Sequence, residues 1–377
     1  MSASYGILST YPPTQCGLAT FSIALGDALR SEGDLVGVVS IVDQLPDTTP
    51  AGVSHHWVRG QVNGCITAAA ALNNFDIAIV QHEFGIYGGR DGADVLEVTR
   101  RLWVPTITVL HTVLVTPTDH QRAIIQELVR HSATVVTMTH TARERLIEHY
   151  AVDPTRVVVV PHGATDNRAV TAPFFAAERP VILTWGLLGE GKGIEWAIEA
   201  MAQLGDVLPA PTYQVVGQTH PRVLEQHGER YRDMLEARVT RLGIEDSVSF
   251  DARYLDSAEL RRVVQRADII LLPYDSVEQV TSGVLIEAIT AGKAVVSTAF
   301  PHARELLASG AGLVVERQSP AALAAALRRV LCETGLAEEM AAEASRIAPS
   351  LLWPAVADQY RDLAHDALRL DIVLASA

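Results

Sequence analysis

Cysteine is scarce in this chain: three among 377 residues, Cys16, Cys65 and Cys332, odd in number and far apart. No Cys-x-x-Cys pair occurs, so neither a disulfide framework nor a cysteine-based zinc site organises the fold, and a reducing cytoplasm is the expected compartment. Positive charge is also short. Thirty Lys and Arg stand against 44 Asp and Glu, a net charge of −14, which argues against a nucleic-acid partner and offers no polybasic handle for an acidic membrane. No apolar run reaches the roughly 18 residues of a membrane span. The opening "MSASYGILSTYPP" has no basic segment of the secretory kind. No transmembrane segment is expected, and peripheral membrane contact stays open. A Gly-x-Gly-x-x-Gly turn is missing, which disfavours a nicotinamide dehydrogenase. So is an Asp-x-Asp pair or a His/Asp cluster at a strand exit, so no metal is expected.

What is present is length and rhythm. A chain of 377 residues, 48% hydrophobic and with 26 Gly and 18 Pro, exceeds one average core, and two domains are the expectation. Apolar runs alternate with helix-like stretches. "YGILST" (5–10), "LVGVVSIV" (35–42), "FDIAIVQ" (75–81), "TITVLHT" (106–112), "ATVVTMT" (133–139) and "RVVVVPHG" (156–163) read as buried parallel strands. Helices are expected over 17–33, 119–132 and 140–150. A Pro-broken stretch at 164–179 without periodicity reads as a hinge. The rhythm then restarts, with strands expected at 181–186, 212–217, 247–250, 268–274 and 293–298. Helices are expected at 193–204, 223–243 and 256–267, and a last helix at 354–373 outside the second sheet. The pattern is α/β: two Rossmann-like, doubly wound domains facing a cleft, at 1–168 and 176–353, followed by the segment 354–377.

Ligands of such sheets gather beyond the carboxyl ends of the strands, so the strand exits are where binding chemistry is expected. The first exit, "STYPPTQCGLATF", brings Gly17 to a helix start that could aim N–H groups at a phosphate or sugar oxygen, or could be an ordinary βα turn. "QHEFGIYGGRDG" (81–92) is polar and glycine-rich, a ligand loop or a satisfied surface turn. His111 ends an apolar strand, where an imidazole needs a partner, either a ligand or a buried hydrogen bond. "LTWGLLGEGKG" places Gly186 in a tight loop with Lys192 as its cation, a pairing that suits a diphosphate. In "SVEQVTSGVLIEA" (276–288), Ser282 and Gly283 open a helix. Glu287 lies about a turn inside it, within range of a ribose diol, and uncharged Gln279 suits a sugar hydroxyl.

These motifs together resemble the family 4 retaining glycosyltransferases of the GT-B class, and the resemblance spans nearly the whole chain. It rests on the glycine turn, His111, "VVPHG" (159–163), the 186–193 loop and the 274–298 block. The family's two acids, eight positions apart, correspond to Gln279 and Glu287, so the chain looks like a subfamily with Gln at the first. The resemblance implies that Glu287 holds the nucleotide ribose and that Gln279 approaches the donor hexose. It further implies that Ser282, Gly283 and Val284 meet the diphosphate, with Lys192 as the family lysine and His111 as the donor-sugar histidine. Arg253 and Tyr254, in "ARYLD" (252–256), lie where the family seats the base. One more departure stands out: an arginine common after the loop's first glycine is Leu187 here. The implied reaction is transfer of a hexose from a nucleotide diphosphate sugar, of UDP-glucose or GDP-mannose type, to an acceptor hydroxyl with retention. The acceptor could be a sugar, a lipid-linked group or a small molecule, and no cofactor beyond the donor substrate is implied. The family's terminal helix often crosses back onto the N-terminal domain, which would suit 354–373. A nucleotide-sugar 2-epimerase on the same architecture and a non-catalytic nucleotide-sugar-binding protein are the competing readings. The oligomeric state is left open.

Overall fold

The computed structural model describes residues 3–168 and 179–375, with side chains as far as residue 370. The chain divides into two units, Met1–Gly163 with Trp353–Ala377, and Ala164–Leu352. The first unit thus ends at Gly163 rather than at 168, and most of the expected hinge, 169–178, lies outside the described residues.

In the first unit seven parallel strands run β1 (Ser4–Ser9), β2 (Leu35–Val42), β3 (Val53–Val58), β4 (Ile77–His82), β5 (Thr106–Leu110), β6 (Thr134–Thr137) and β7 (Val157–Val159). Their order in the sheet is β3-β2-β1-β4-β5-β6-β7. The second unit repeats the winding with β8 (Val181–Trp185), β9 (Thr212–Val216), β10 (Val248–Asp251), β11 (Ile269–Leu272), β12 (Ala294–Thr298) and β13 (Gly312–Val315), in the order β10-β9-β8-β11-β12-β13. Each sheet reverses direction once, between β1 and β4 and between β8 and β11, and those are the switch points where crevices open.

Why the strands read as unbroken apolar runs is visible in the second sheet. Ile182, Tyr213, Ile269, Leu271 and Val296 pack into one core. Their chain neighbours Leu183, Ile270, Leu272 and Val295 pack into another on the opposite face. Period-two alternation is still there, but both faces are covered, so both sets must be apolar. The strands that the sequence pattern missed, β3 and β13, each form one edge of their sheet, the opposite edges being β7 and β10. "VSHHWV" carries two histidines and "GLVV" is short, so neither forms a recognisable run. The single helix expected at 223–243 is two, Pro221–His227 and Arg230–Leu242. Gly228, at φ 61°, turns the chain between them.

The terminal helix Trp353–Ala375 belongs to the first unit. Its residues Trp353, Val356, Ala357, Tyr360, Ala364 and Ala367 form a stripe in the first unit's core. At Gly163 no side chain would fit, because it would run into the indole of Trp353. Farther along, Arg361 Nε donates to Asp34 Oδ2 at 2.9 Å, and the Asp34 side chain is only 6% exposed. Asp34 Oδ1 also accepts from the Ala3 backbone N–H at 3.2 Å. Breaking one side of a buried pair strands the other charge. Arg361→Ala should therefore cost about 3 kcal/mol in urea unfolding. Asp34→Asn combined with Arg361→Met should recover much of that loss. Equal losses in the single and double variants would show that helix packing, not the ion pair, carries the effect.

Candidate functional site

In the second unit the site grows from close backbone approach. Gly193, at φ 65°, lies so near Pro273 that a side chain would collide with the Pro273 carbonyl oxygen. Gly217, at φ 137°, abuts the carbonyl of Gly186 in the same way. Asp275 N–H donates to Gly191 O at 2.8 Å. Leu188 N–H donates to Gln218 O at 2.9 Å, and His220 N–H to Leu188 O at 2.8 Å. The loop 186–193 that follows β8 is thus laced to the exits of β9 and β11, its two neighbours in the sheet. The second switch point, between β8 and β11, lies under this loop.

Lys192 takes its position from that lacing. Its Nζ sits 4.5 Å from the centre of the Tyr274 ring, a cation–π contact with the residue after Pro273. Burial alone pushes its ammonium down to about 8, with no carboxylate acting on it. A cation held without an anionic partner is what an incoming diphosphate would need.

The helix Gly283–Thr290 starts beside this loop. A side chain on Gly186 would meet Val284 Cγ2 at 3.7 Å. Ser282 caps the helix, its Oγ accepting from Leu285 N–H at 3.2 Å, while its own N–H donates to His302 Nδ1 at 2.8 Å. The Ser282 amide is therefore spent on His302. Gly283 and Val284 lie ahead of the first intrahelical donor and keep their N–H groups for an anion. Glu287, one turn in, accepts from Trp185 Nε1 at 3.2 Å through Oε2. Burial pushes its carboxyl up to about 7, against the lowering effect of the indole bond. Tyr274 joins the two halves: it lies under Lys192, and Glu287 acts electrostatically on its phenol. Gln279 is half-buried on the approach to the helix, and no hydrogen bond engages its amide among the described residues.

Arg253 and Tyr254 are placed differently. The Arg253 guanidinium is taken up by Asp251, at 2.6 Å, and by Glu259, at 3.0 Å. Tyr254 is 45% exposed. The Arg253 side chain, 63% exposed, is thus ion-paired at the surface.

The first unit's switch point carries a separate polar cluster. His111 follows β5, and its N–H donates to the carbonyl of His82 at 3.0 Å. His111 Nε2 donates to Gln81 Oε1 at 2.7 Å, since a carbonyl oxygen can only accept. Phe21 stands edge-on to His111, His162 and Trp353 at 4.9, 5.0 and 5.1 Å between ring centres. Gly17 begins the same helix, Gly17–Ser31, one turn before Phe21. A side chain on Gly17 would find nothing within 4 Å, so the space around this helix start is open. Burial, then His162 and His82, push the His111 imidazole down to about 3, and burial alone does the same to His82. Both rings are neutral at physiological pH. In the loop 81–92, Glu83 accepts from Gly85 N–H at 2.7 Å and Asp91 pairs with His120 at 2.8 Å, whereas the buried Gln81 Nε2 and both ring nitrogens of His82 have no hydrogen-bond partner among the described residues.

Sequence reasoning passed over Trp185, Tyr274 and His302. Each acts through a neighbour distant in the chain, and Trp185 and Glu287 are 102 residues apart. No group of three or more His, Cys, Asp or Glu able to hold a metal occurs among the described residues. No helix among them is long and apolar enough to cross a membrane.

Two family models match this chain side by side. Residues 17–168 match "Glycosyltransferase Family 4" and residues 168–347 match "Glycosyl transferases group 1". Among curated proteins, D-inositol 3-phosphate glycosyltransferase of Corynebacterium glutamicum is 29% identical over 296 residues, 71% of this chain and 68% of that protein. The 2-deoxystreptamine glucosyltransferase of Streptomyces kanamyceticus is 29% identical over 43% of this chain and 42% of its own length. Among solved structures, Anabaena HepE with UDP and glucose superposes with a TM-score of 0.76 at 16% identity, covering 96% of this chain and 99% of that one. Sucrose-phosphate synthase of Thermosynechococcus elongatus gives 0.75 at 18% identity, with both chains covered in full. At such identities these structures establish the shared GT-B fold of two Rossmann-like domains.

The raised Glu287 carboxyl has a thermodynamic consequence. The unfolded chain loses this proton near 4.5 and the folded chain near 7, so stability falls as pH rises through that window and levels off above it. Glu287→Gln removes the effect while keeping an acceptor for Trp185. The melting temperature of the Gln variant relative to the parent should rise between about pH 5 and pH 8. A difference that stays flat with pH would mean that Glu287 is not desolvated in the folded protein.

Proposed function

We propose that this chain is a GT-B glycosyltransferase of the family 4 and group 1 kind and that it transfers a hexose from a nucleotide diphosphate sugar with retention of configuration. The observation that carries this reading is the corner of the second unit where Lys192 and Glu287 both act on Tyr274 and the helix start with the free amides of Gly283 and Val284 lies beside Gly186, with Gln279 on the approach to that helix. Lys192 and the two amides are donors suited to a diphosphate. Glu287 is an acceptor for a vicinal diol, with one oxygen already oriented by Trp185. Gln279 brings hydrogen bonds without charge, so it serves as a positioning group and not as a base or nucleophile.

On this reading no protein carboxylate forms a glycosyl intermediate. The acceptor hydroxyl attacks from the face the leaving group departs, and the leaving diphosphate takes the proton. Lys192 and the helix amides stabilise the charge that develops on that leaving group. Solved relatives on this fold hold UDP, and relatives by sequence act on cyclitol-type acceptors according to their names. These likenesses support a UDP-sugar donor and a small polyhydroxylated acceptor as the first pair to assay. His111 is proposed to act on the sugar and not the nucleotide, so His111→Ala should lower turnover and spare nucleotide affinity.

Titration calorimetry with UDP, UDP-glucose, GDP and GDP-mannose tests the site. Lys192→Ala should weaken nucleoside diphosphate and intact donor alike, by about 1.5–3 kcal/mol for a charge-assisted contact. Gln279→Ala should leave nucleoside diphosphate affinity nearly intact and depress transfer, whereas Glu287→Ala should weaken both ligands because both contain ribose. Equal loss of nucleoside diphosphate binding in the Gln279 and Glu287 variants would sink that division of labour. The anomeric coupling constant of the product reports stereochemistry. An inverted product from an α-linked donor would end the retaining assignment and leave the donor assignment standing.

A further inference from the structure

We infer that His220 is a second donor to the diphosphate, taking up at the exit of β9 the work that Leu187 cannot do in the loop after β8. The inference rests on the diphosphate reading above and adds a residue to it. Leu187 leaves the loop 186–193 with Lys192 as its one cation. The neighbouring strand exit runs alongside that loop: Leu188 N–H donates to Gln218 O and His220 N–H to Leu188 O, at 2.9 and 2.8 Å. Farther on, a side chain on Gly189 would touch Val223 at 3.3 Å. His220 is therefore held next to the residue that follows Leu187, by the backbone and not by its own ring.

The ring itself is oriented by one bond. His220 Nδ1 accepts from Arg222 N–H at 3.2 Å. An imidazole nitrogen that accepts carries no hydrogen, so in the neutral ring the hydrogen sits on Nε2. Nε2–H is thus available as a donor whether the ring is neutral or charged, and no hydrogen bond within the protein engages it among the described residues. The half-buried ring lies within electrostatic reach of Lys192. Burial first, then Arg222 and Lys192, push its pKa below the ordinary value. Two donors from adjacent strand exits would then meet one anion: a flexible ammonium and a fixed imidazole N–H.

His220 also caps the short helix Pro221–His227, so the test must separate capping from donation. Asparagine keeps an acceptor at the Nδ1 position and loses the donor at Nε2. Glutamine does the reverse, losing the cap and placing an amide N–H near the ε position. The probes are UDP, UMP and inorganic pyrophosphate on the full chain, with melting temperature as a second measurement. If His220 donates to the diphosphate, His220→Asn should leave the melting temperature unchanged, weaken UDP and pyrophosphate about tenfold, and spare UMP. His220→Gln should bind UDP more tightly than the Asn variant despite a lower melting temperature. A purely structural histidine gives the opposite order, with Asn harmless and Gln the damaged variant, and that result overturns the inference. If Lys192→Ala weakens UDP and His220→Asn does not, this inference falls and the diphosphate site stands. If neither variant changes UDP binding, the diphosphate reading falls with it.

Discussion

The approach of one backbone to another at Gly193 and Gly217 is the constraint from which the candidate site follows. No Cβ fits at either place, because the carbonyls of Pro273 and Gly186 occupy the space one would need. Both residues also have positive φ, where a side chain is strained in any surroundings. With the glycines in place, the loop after β8 lies against the exits of β9 and β11. Lys192 then comes down on Tyr274, and the helix Gly283–Thr290 begins beside Gly186. Lifting the loop by the width of a methyl group would separate the cation from the helix start.

The polar groups so gathered are held at some cost to the free protein. Lys192 is desolvated with no carboxylate beside it, and Glu287 is desolvated with only an indole N–H to oppose the shift. Both are conditions a stable core would avoid. On the proposed reading, a ligand would bring the missing charge and hydroxyls, and little rearrangement would be left for the moment of reaction. The first unit follows a different rule. His82 and His111 are kept neutral, and three aromatic contacts fix Phe21 against His111, His162 and Trp353. That cluster is aromatic and carries no charge of its own.

Legibility in the sequence followed burial. Strands covered on both faces, such as "LVGVVSIV" and "KAVVST", appear as unbroken apolar runs and were placed nearly to the residue. Edge strands β3 and β13 were missed while the other two edge strands, β7 and β10, were placed, because the two histidines of "VSHHWV" and the four-residue "GLVV" leave no recognisable apolar run. The break at Gly228 was missed because a lone glycine in a polar helical pattern reads as tolerated. At the site, residues that act through their own motif were legible: Lys192 among glycines, and Gln279 and Glu287 eight positions apart across a helix start. Trp185, Tyr274 and His302 were not, since each draws its role from a partner on another element.

The amino-acid sequence by itself determined the doubly wound class of both domains, the chemistry at each strand exit and the family likeness, because these depend on local periodicity and on short spacings along the chain. Only the tertiary structure decided which amides of the 282–284 turn stay free, that Arg253 is bound to Asp251 and Glu259, and that Arg361 of the terminal helix pairs with Asp34. It also decided that His220 stands beside the glycine loop. Each of these depends on which strand exits the sheet order makes neighbours, and sheet order is set by packing across both faces, which no short window of sequence contains.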